Sequence, residues 1–318
     1  MRILLLLCSL LQLNICFAQG YELIKIPTDS YHGVYTMIAT PPDYKDSVDK
    51  TYPTIIYFHG GGAKGTDGTK LFIEAIPQRI KNGWQPQAIS PLTGKLEYFI
   101  VIAAQDQWGT PWPSTMTPVM KYLKEVKHLR IDTNRLYTTG LSFGGSGCML
   151  FAGWDSIAPK KVAAVLSCSP TADVNLIQPN FKYIAKENFP VWFYCGNQDG
   201  SATENATRYS KELNHLADSL GNGPESWVQM YAGGHCCWND LYNSKVKTNF
   251  NGEQIDMYQW FLTNSKKVLP PDPTPTDYQI CIGNAQDIKK VIVLLKSGKY
   301  VEYDSSALSI PKIQIQLK

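Results

Sequence analysis

The chain has no basic run: 30 Lys and Arg stand against 27 Asp and Glu over 318 residues, a formal net charge of +3. A phosphate backbone or an anionic bilayer surface is held by clustered cations, so neither nucleic acid nor a membrane surface is an expected partner. No long apolar stretch follows the N-terminal segment, which excludes a transmembrane span in the body of the chain. Of eight cysteines, Cys8 and Cys16 lie in the first turns of sequence, leaving Cys148, Cys168, Cys195, Cys236, Cys237 and Cys281. That is no disulfide framework. Cys148, Cys168 and Cys195 stand in apolar surroundings, where a free thiol behaves as a small hydrophobe. His235-Cys236-Cys237 has no second Cys/His pair nearby, and adjacent cysteines seldom chelate one ion. No metal or other cofactor is expected. A vicinal disulfide, or a bridge from one of the pair to Cys195, fits better. Internal repeats are lacking too.

What is present begins with Met1-Arg2, an apolar run from Ile3 to Leu13 and Cys16-Phe17-Ala18-Gln19. A basic start, a short apolar core and small residues before a cut read as a secretory signal peptide over residues 1–18. The expected destination is the periplasm or the extracellular space. The remaining length suits one large domain over 19–268. A stiff Pro-rich linker (269–277) and a small β-rich tail (278–318) follow. In the tail, Lys290–Leu295 and Tyr300–Tyr303 flank a Lys-Ser-Gly-Lys turn, the pattern of a β-hairpin.

Within the large domain, Glu22–Pro27 and Gly33–Thr40 read as an antiparallel pair. Six further runs follow, Thr54–His59, Tyr98–Ala104, Arg135–Gly140, Val162–Cys168, Val191–Gly196 and Ser226–Tyr231. The middle ones are continuously apolar, as strands buried on both faces must be. Helical patterns such as Pro118–Leu129 and Thr203–Leu220 alternate with them. The expected fold class is α/β: about eight strands, mostly parallel, doubly wound, with no large cap and a small C-terminal β-appendage. Ligand chemistry in such a sheet belongs at the carboxyl ends of the strands.

Directly after Arg135–Thr139 stands Gly140-Leu141-Ser142-Phe143-Gly144-Gly145. A G-x-S-x-G string between strand and helix holds its serine on a sharp turn, exposed above the sheet, with glycines where side chains would collide. The backbone N–H of Phe143 is then a candidate oxyanion donor. A serine hydroxyl needs a histidine to take its proton and a third group to orient that histidine. Of five histidines, His32 lies by the first two strands, on the side away from the carboxyl ends. His128 and His215 fall on helical stretches. His59 opens His59-Gly60-Gly61-Gly62, and His235 follows the last strand in Ala232-Gly233-Gly234-His235. Only His235 is both late in the chain and placed to reach Ser142. For the acid, Asp199 in the loop after Val191–Gly196 comes first, and Asp173 after the preceding strand is the alternative. Gly61, or else Gly62, is the candidate second oxyanion donor, with His59 a structural hydrogen-bonder beneath that loop. Trp108, Trp112 and Trp238 are candidate stacking surfaces for substrate.

Tyr57-Phe58-His59-Gly60-Gly61-Gly62-Ala63-Lys64-Gly65-Thr66-Asp67 resembles a segment of secreted esterase and "predicted peptidase" α/β-hydrolases. These are related to carbohydrate esterase family one (feruloyl and acetylxylan esterases) and to polyhydroxybutyrate depolymerases. Ala103-Ala104-Gln105, Ile131–Tyr137, the serine turn, Gly233-Gly234-His235 with Trp238, and Tyr258–Leu262 extend the resemblance over residues 22–267. It implies an α/β-hydrolase fold and ester cleavage through an acyl-enzyme by Ser142, Asp199 and His235. The implied substrates are small-molecule or polysaccharide esters. Cys236-Cys237 departs from the polar residues that relatives often carry there, and the tail lies outside the resemblance. A peptidase with the same triad is the second reading. A non-catalytic binding protein on a hydrolase scaffold is the third.

Overall fold

The computed structural model describes residues 20–28, 31–107, 112–154, 161–172, 174–223, 225–266, 290–294 and 300–304. The proposed signal peptide, the proline-rich linker, Asp173, Trp108 and Cys281 lie outside them. The described residues fall into two compact units, one within 1–248 and 254–268 and the other within 249–253 and 269–318.

The first unit is built on eight strands: β1 (Glu22–Thr28), β2 (Tyr31–Ala39), β3 (Tyr52–Phe58), β4 (Ile100–Ala104), β5 (Ile131–Leu141), β6 (Val162–Cys168), β7 (Val191–Gly196) and β8 (Ser226–Tyr231). They form one sheet in the order β1-β2-β4-β3-β5-β6-β7-β8. The β1/β2 and β2/β4 contacts are antiparallel; the other neighbours run parallel. All eight expected strands are therefore present, β5 beginning at Ile131 rather than Arg135.

The alternation of side chains along each strand explains why helices cover both faces. On β3, Phe58 meets Phe151 of α3 (Phe143–Ala152) at 5.7 Å between ring centroids. Its neighbour Tyr57 points the other way, edge-on to Tyr242 of α6 (Trp238–Tyr242) at 5.8 Å. On β7, Phe193 packs toward Tyr209 of α5 (Ser201–Ser219). Trp192 turns toward Trp260 of α7 (Met257–Leu262). β3, β6 and β7 are buried along their whole length, which is why their sequences lack a polar face. Three further helices, α1 (Ala75–Lys81), α2 (Trp112–Glu125) and α4 (Val174–Glu187), belong to the same unit.

Two expectations need correction. The helix assigned to Pro118–Leu129 begins six residues earlier, at Trp112, because Pro113 rather than Pro118 occupies its first turn, where a missing N–H costs nothing. It also ends earlier: His128, assigned to the helix, has φ +48°, and Leu129 N–H donates back to the Leu123 carbonyl. His32 belongs to β2 itself. Because β2 is antiparallel, with Thr36 opposite Ala104, the residue is on the carboxyl-end side of the sheet after all. It is nevertheless three strand positions from β5. Among the described residues no helix is long and apolar enough to cross a membrane.

The second unit contains the expected hairpin, β9 (Lys290–Leu294) and β10 (Tyr300–Asp304), antiparallel with Lys290 opposite Asp304 and Leu294 opposite Tyr300.

Candidate active site

β5 ends at Leu141, level with Cys168 at the end of β6, and the chain turns at once into α3. Ser142 makes that turn at φ +54°, ψ −120°, a conformation outside the ordinary allowed regions that costs of order 1–3 kcal/mol. The surroundings enforce it. Ser142 N–H donates to the Cys168 carbonyl at 2.9 Å. A Cβ on Gly144 would stand 2.0 Å from the Phe58 carbonyl oxygen, and one on Gly140 would stand 2.3 Å from the Gly144 oxygen. The two flanking glycines are thus a steric requirement of the strand-to-helix bend. Gly144→Ala is expected to destabilise the fold by at least about 3 kcal/mol, read as a lower denaturation midpoint in urea. An unchanged midpoint would mean that the turn has room to relax.

Ser142 Oγ lies 2.8 Å from His235 Nε2. On the other side of the ring, His235 Nδ1 lies 2.8 Å from Asp199 Oδ1. The imidazole is 40 % exposed and the carboxylate 4 %. Asp199 Oδ2 is buried without a hydrogen-bond partner, so the carboxylate's one directed contact is with the histidine. The acid and histidine loops are laced together. Gln198 N–H donates to the Gly233 carbonyl at 2.8 Å, and Gly233 N–H donates to Asn197 Oδ1 at 3.1 Å. Behind them, the Tyr231 hydroxyl donates to the carbonyls of Gly234 and Cys236.

The glycine loop after β3 is braced from below. His59 is fully buried; its Nδ1 donates to the Gly60 carbonyl at 2.7 Å, and its Nε2 accepts from Asp106 N–H at 2.8 Å. These partners require the neutral ring with its proton on Nδ1. Burial depresses its pKa from the ordinary 6.5 to about 4. The folded protein therefore resists protonation that the unfolded chain accepts. Stability from this group is complete above pH 6.5 and is lost as pH falls toward 4, by roughly 3 kcal/mol in all. Urea midpoints measured between pH 7 and pH 4.5 should fall accordingly, and a flat profile over that window would contradict the assignment.

Three further residues hold the same loop. Gln105 Nε2 donates to the Ala63 carbonyl at 3.1 Å while its Oε1 accepts from Gly68 N–H at 2.7 Å. Glu74 Oε1 accepts from Gly60 N–H at 3.0 Å, with its carboxyl pKa raised by burial. Asn239 Oδ1 accepts from Ala75 N–H at 3.3 Å, tying α6 to the residue after Glu74. None of the three stood out as a site residue in the sequence. Gln105 entered only within a resemblance, and their partners are backbone groups 14 to 164 residues away.

Gly61 and Gly62 open a short turn, Gly61–Ala63, and both are exposed. Among the described residues a Cβ added to Gly61 would meet nothing within 4 Å. Trp238 sets its ring edge-on to His235 at 5.2 Å. Trp112 is the first residue of α2, and Trp108 and the alternative acid Asp173 lie outside the described residues. Cys236 and Cys237 are bonded to each other; Cys195 is a free, buried thiol, which leaves the vicinal pairing of the two alternatives. Among the described residues no three His, Cys, Asp or Glu side chains gather as a metal site.

No protein-family model and no curated protein sequence matches the chain. Solved structures do. A thermostable esterase superposes with a TM-score of 0.53 at 18% identity, covering 77% of this chain and 63% of its own. The apoenzyme of the S-formylglutathione hydrolase FrmB from Staphylococcus aureus gives 0.51 at 12% identity, covering 76% of this chain and 96% of its own. The fold is that of the α/β-hydrolases. The chain spans less than two thirds of the thermostable esterase. In this fold β5, the turn at Ser142 and α3 form a strand–turn–helix unit, and the loops after β7 and β8 supply Asp199 and His235, which face it.

Proposed function

We propose that this α/β-hydrolase is a secreted serine hydrolase that cleaves carboxylic esters. The observation that carries the reading is the unbroken relay Ser142 Oγ, His235, Asp199, with both links at 2.8 Å, on a serine held at positive φ. In this scheme Ser142 Oγ attacks the ester carbonyl as its proton passes to His235 Nε2. Asp199 holds the Nδ1 proton and stabilises the imidazolium. The N–H of Phe143 and that of Gly61, or alternatively Gly62, receive the negative charge that develops on the carbonyl oxygen. One such donor contributes about 3 kcal/mol. His235 then protonates the leaving alcohol, leaving Ser142 acylated, and afterwards deprotonates the water that releases the acid.

The names of the two similar solved structures, a thermostable esterase and an S-formylglutathione hydrolase, agree with this reading. The exposed histidine, with Trp238 against its edge, suits an ester on a bulky carrier, so acyl or feruloyl groups on a polysaccharide are the proposed natural substrates. Trp108 and Trp112 are proposed to stack on the same substrate. The domain plan belongs to the reading as well: a signal peptide over 1–18, the catalytic domain over 19–268, a linker over 269–277 and an accessory tail over 278–318.

The test is a panel of p-nitrophenyl acetate and butyrate, methyl ferulate, acetylated xylan and a casein digest, given to the mature protein. Turnover of methyl ferulate or acetylated xylan is expected. Turnover of peptides alone would move the assignment to a serine peptidase, and silence on every substrate would favour a binding protein on a hydrolase scaffold.

A further inference from the structure

We infer that Lys64 forms an anion subsite at the rim of the candidate oxyanion hole, so that the preferred ester carries a carboxylate. The inference rests on the ester-hydrolase reading and narrows its substrate class. Lys64 follows directly on the Gly61–Ala63 turn and closes it, its N–H reaching back to the Gly61 carbonyl at 3.4 Å. Its backbone is fixed on both sides, since Gln105 holds the Ala63 carbonyl and Gly65 N–H donates to the Asp106 carbonyl at 3.1 Å. From that turn the side chain crosses to the opposite wall. Lys64 Nζ rests 4.3 Å from the ring centroid of Phe143, the residue after the nucleophile. The ammonium therefore bridges the two segments whose N–H groups are the candidate oxyanion donors.

Lys64 is half-buried. Lys50, Lys127, Lys245, Lys247 and Lys266 each pair with a carboxylate, whereas among the described residues none lies within ion-pair distance of Lys64 Nζ. The acidic groups nearest in sequence are engaged elsewhere: Asp67 accepts from Thr69 and Glu74 from Gly60. The ring face of Phe143 attracts the ammonium, and a carboxylate would add a charge-assisted hydrogen bond that the ring cannot. Gly61, where a Cβ would meet only open space, leaves the approach to this position clear.

The experiment compares kcat/KM for matched esters: mono-p-nitrophenyl succinate against p-nitrophenyl butyrate, with the carboxylate on the acyl side, and 4-acetoxybenzoate against its methyl ester, with it on the alcohol side. The wild type should prefer the anionic member of at least one pair by about tenfold. Lys64→Met, which keeps the stem over Phe143, should abolish that preference, and Lys64→Glu should invert it. The pair that responds identifies the side. Calorimetric binding of the same compounds to the Ser142→Ala protein, with and without Lys64→Met, reads the subsite independently of turnover. An anionic-to-neutral ratio that is unmoved by both Lys64 substitutions, in rate and in binding, would overturn the inference. Loss of all ester turnover with the binding preference intact would instead overturn the hydrolase reading.

Discussion

Ser142→Ala is expected to lower ester turnover by about 10³-fold or more while leaving the thermal midpoint near that of the wild type. The size follows from the proposed role: without Oγ no acyl-enzyme would form, and what would remain is the background catalysis of the candidate oxyanion donors and binding. The stability expectation follows from the geometry. Ser142 holds its place through backbone contacts, N–H to the Cys168 carbonyl and carbonyl to Ser146 N–H, and alanine keeps both. KM should change little, since the hydroxyl reacts rather than binds. A variant that retained more than about a tenth of the activity would show that another group is the nucleophile.

Asp199→Asn is the second large effect, a fall of about 10³- to 10⁴-fold in kcat. Asn offers an N–H where His235 Nδ1 needs an acceptor. The ring then either loses its orientation or flips to the tautomer that cannot take the serine proton. Asp199 Oδ2 makes no other hydrogen bond, so no second structural duty softens or mimics the loss. Asp173→Asn, by contrast, should be mild. If the two substitutions were equally severe with both proteins folded, the acid would have been misassigned.

Much of this architecture is legible in the linear chain, for identifiable reasons. β3, β6 and β7 announce themselves because burial on both faces leaves them no charged position and almost no polar one. The serine turn is legible because the fold tolerates no Cβ at Gly140 or Gly144, and the order Ser142, Asp199, His235 follows from the order of the strands that carry them. The start of α2 was not legible, since Pro113 and Pro118 both fit a first turn. The roles of Glu74, Gln105 and Asn239 are not legible for a different reason: each acts on a backbone group of a distant loop, and a backbone acceptor or donor leaves no trace in the sequence. Lys64 reads as one more surface lysine until its ammonium is seen over Phe143.

The measurement that bears most directly on the central claim is covalent labelling of the mature protein with a fluorophosphonate at neutral pH, followed by mass mapping. A single phosphonyl adduct on Ser142, absent from the Ser142→Ala and His235→Ala variants, is the result this account predicts. No adduct, or an adduct on a different residue in the wild type, would contradict it.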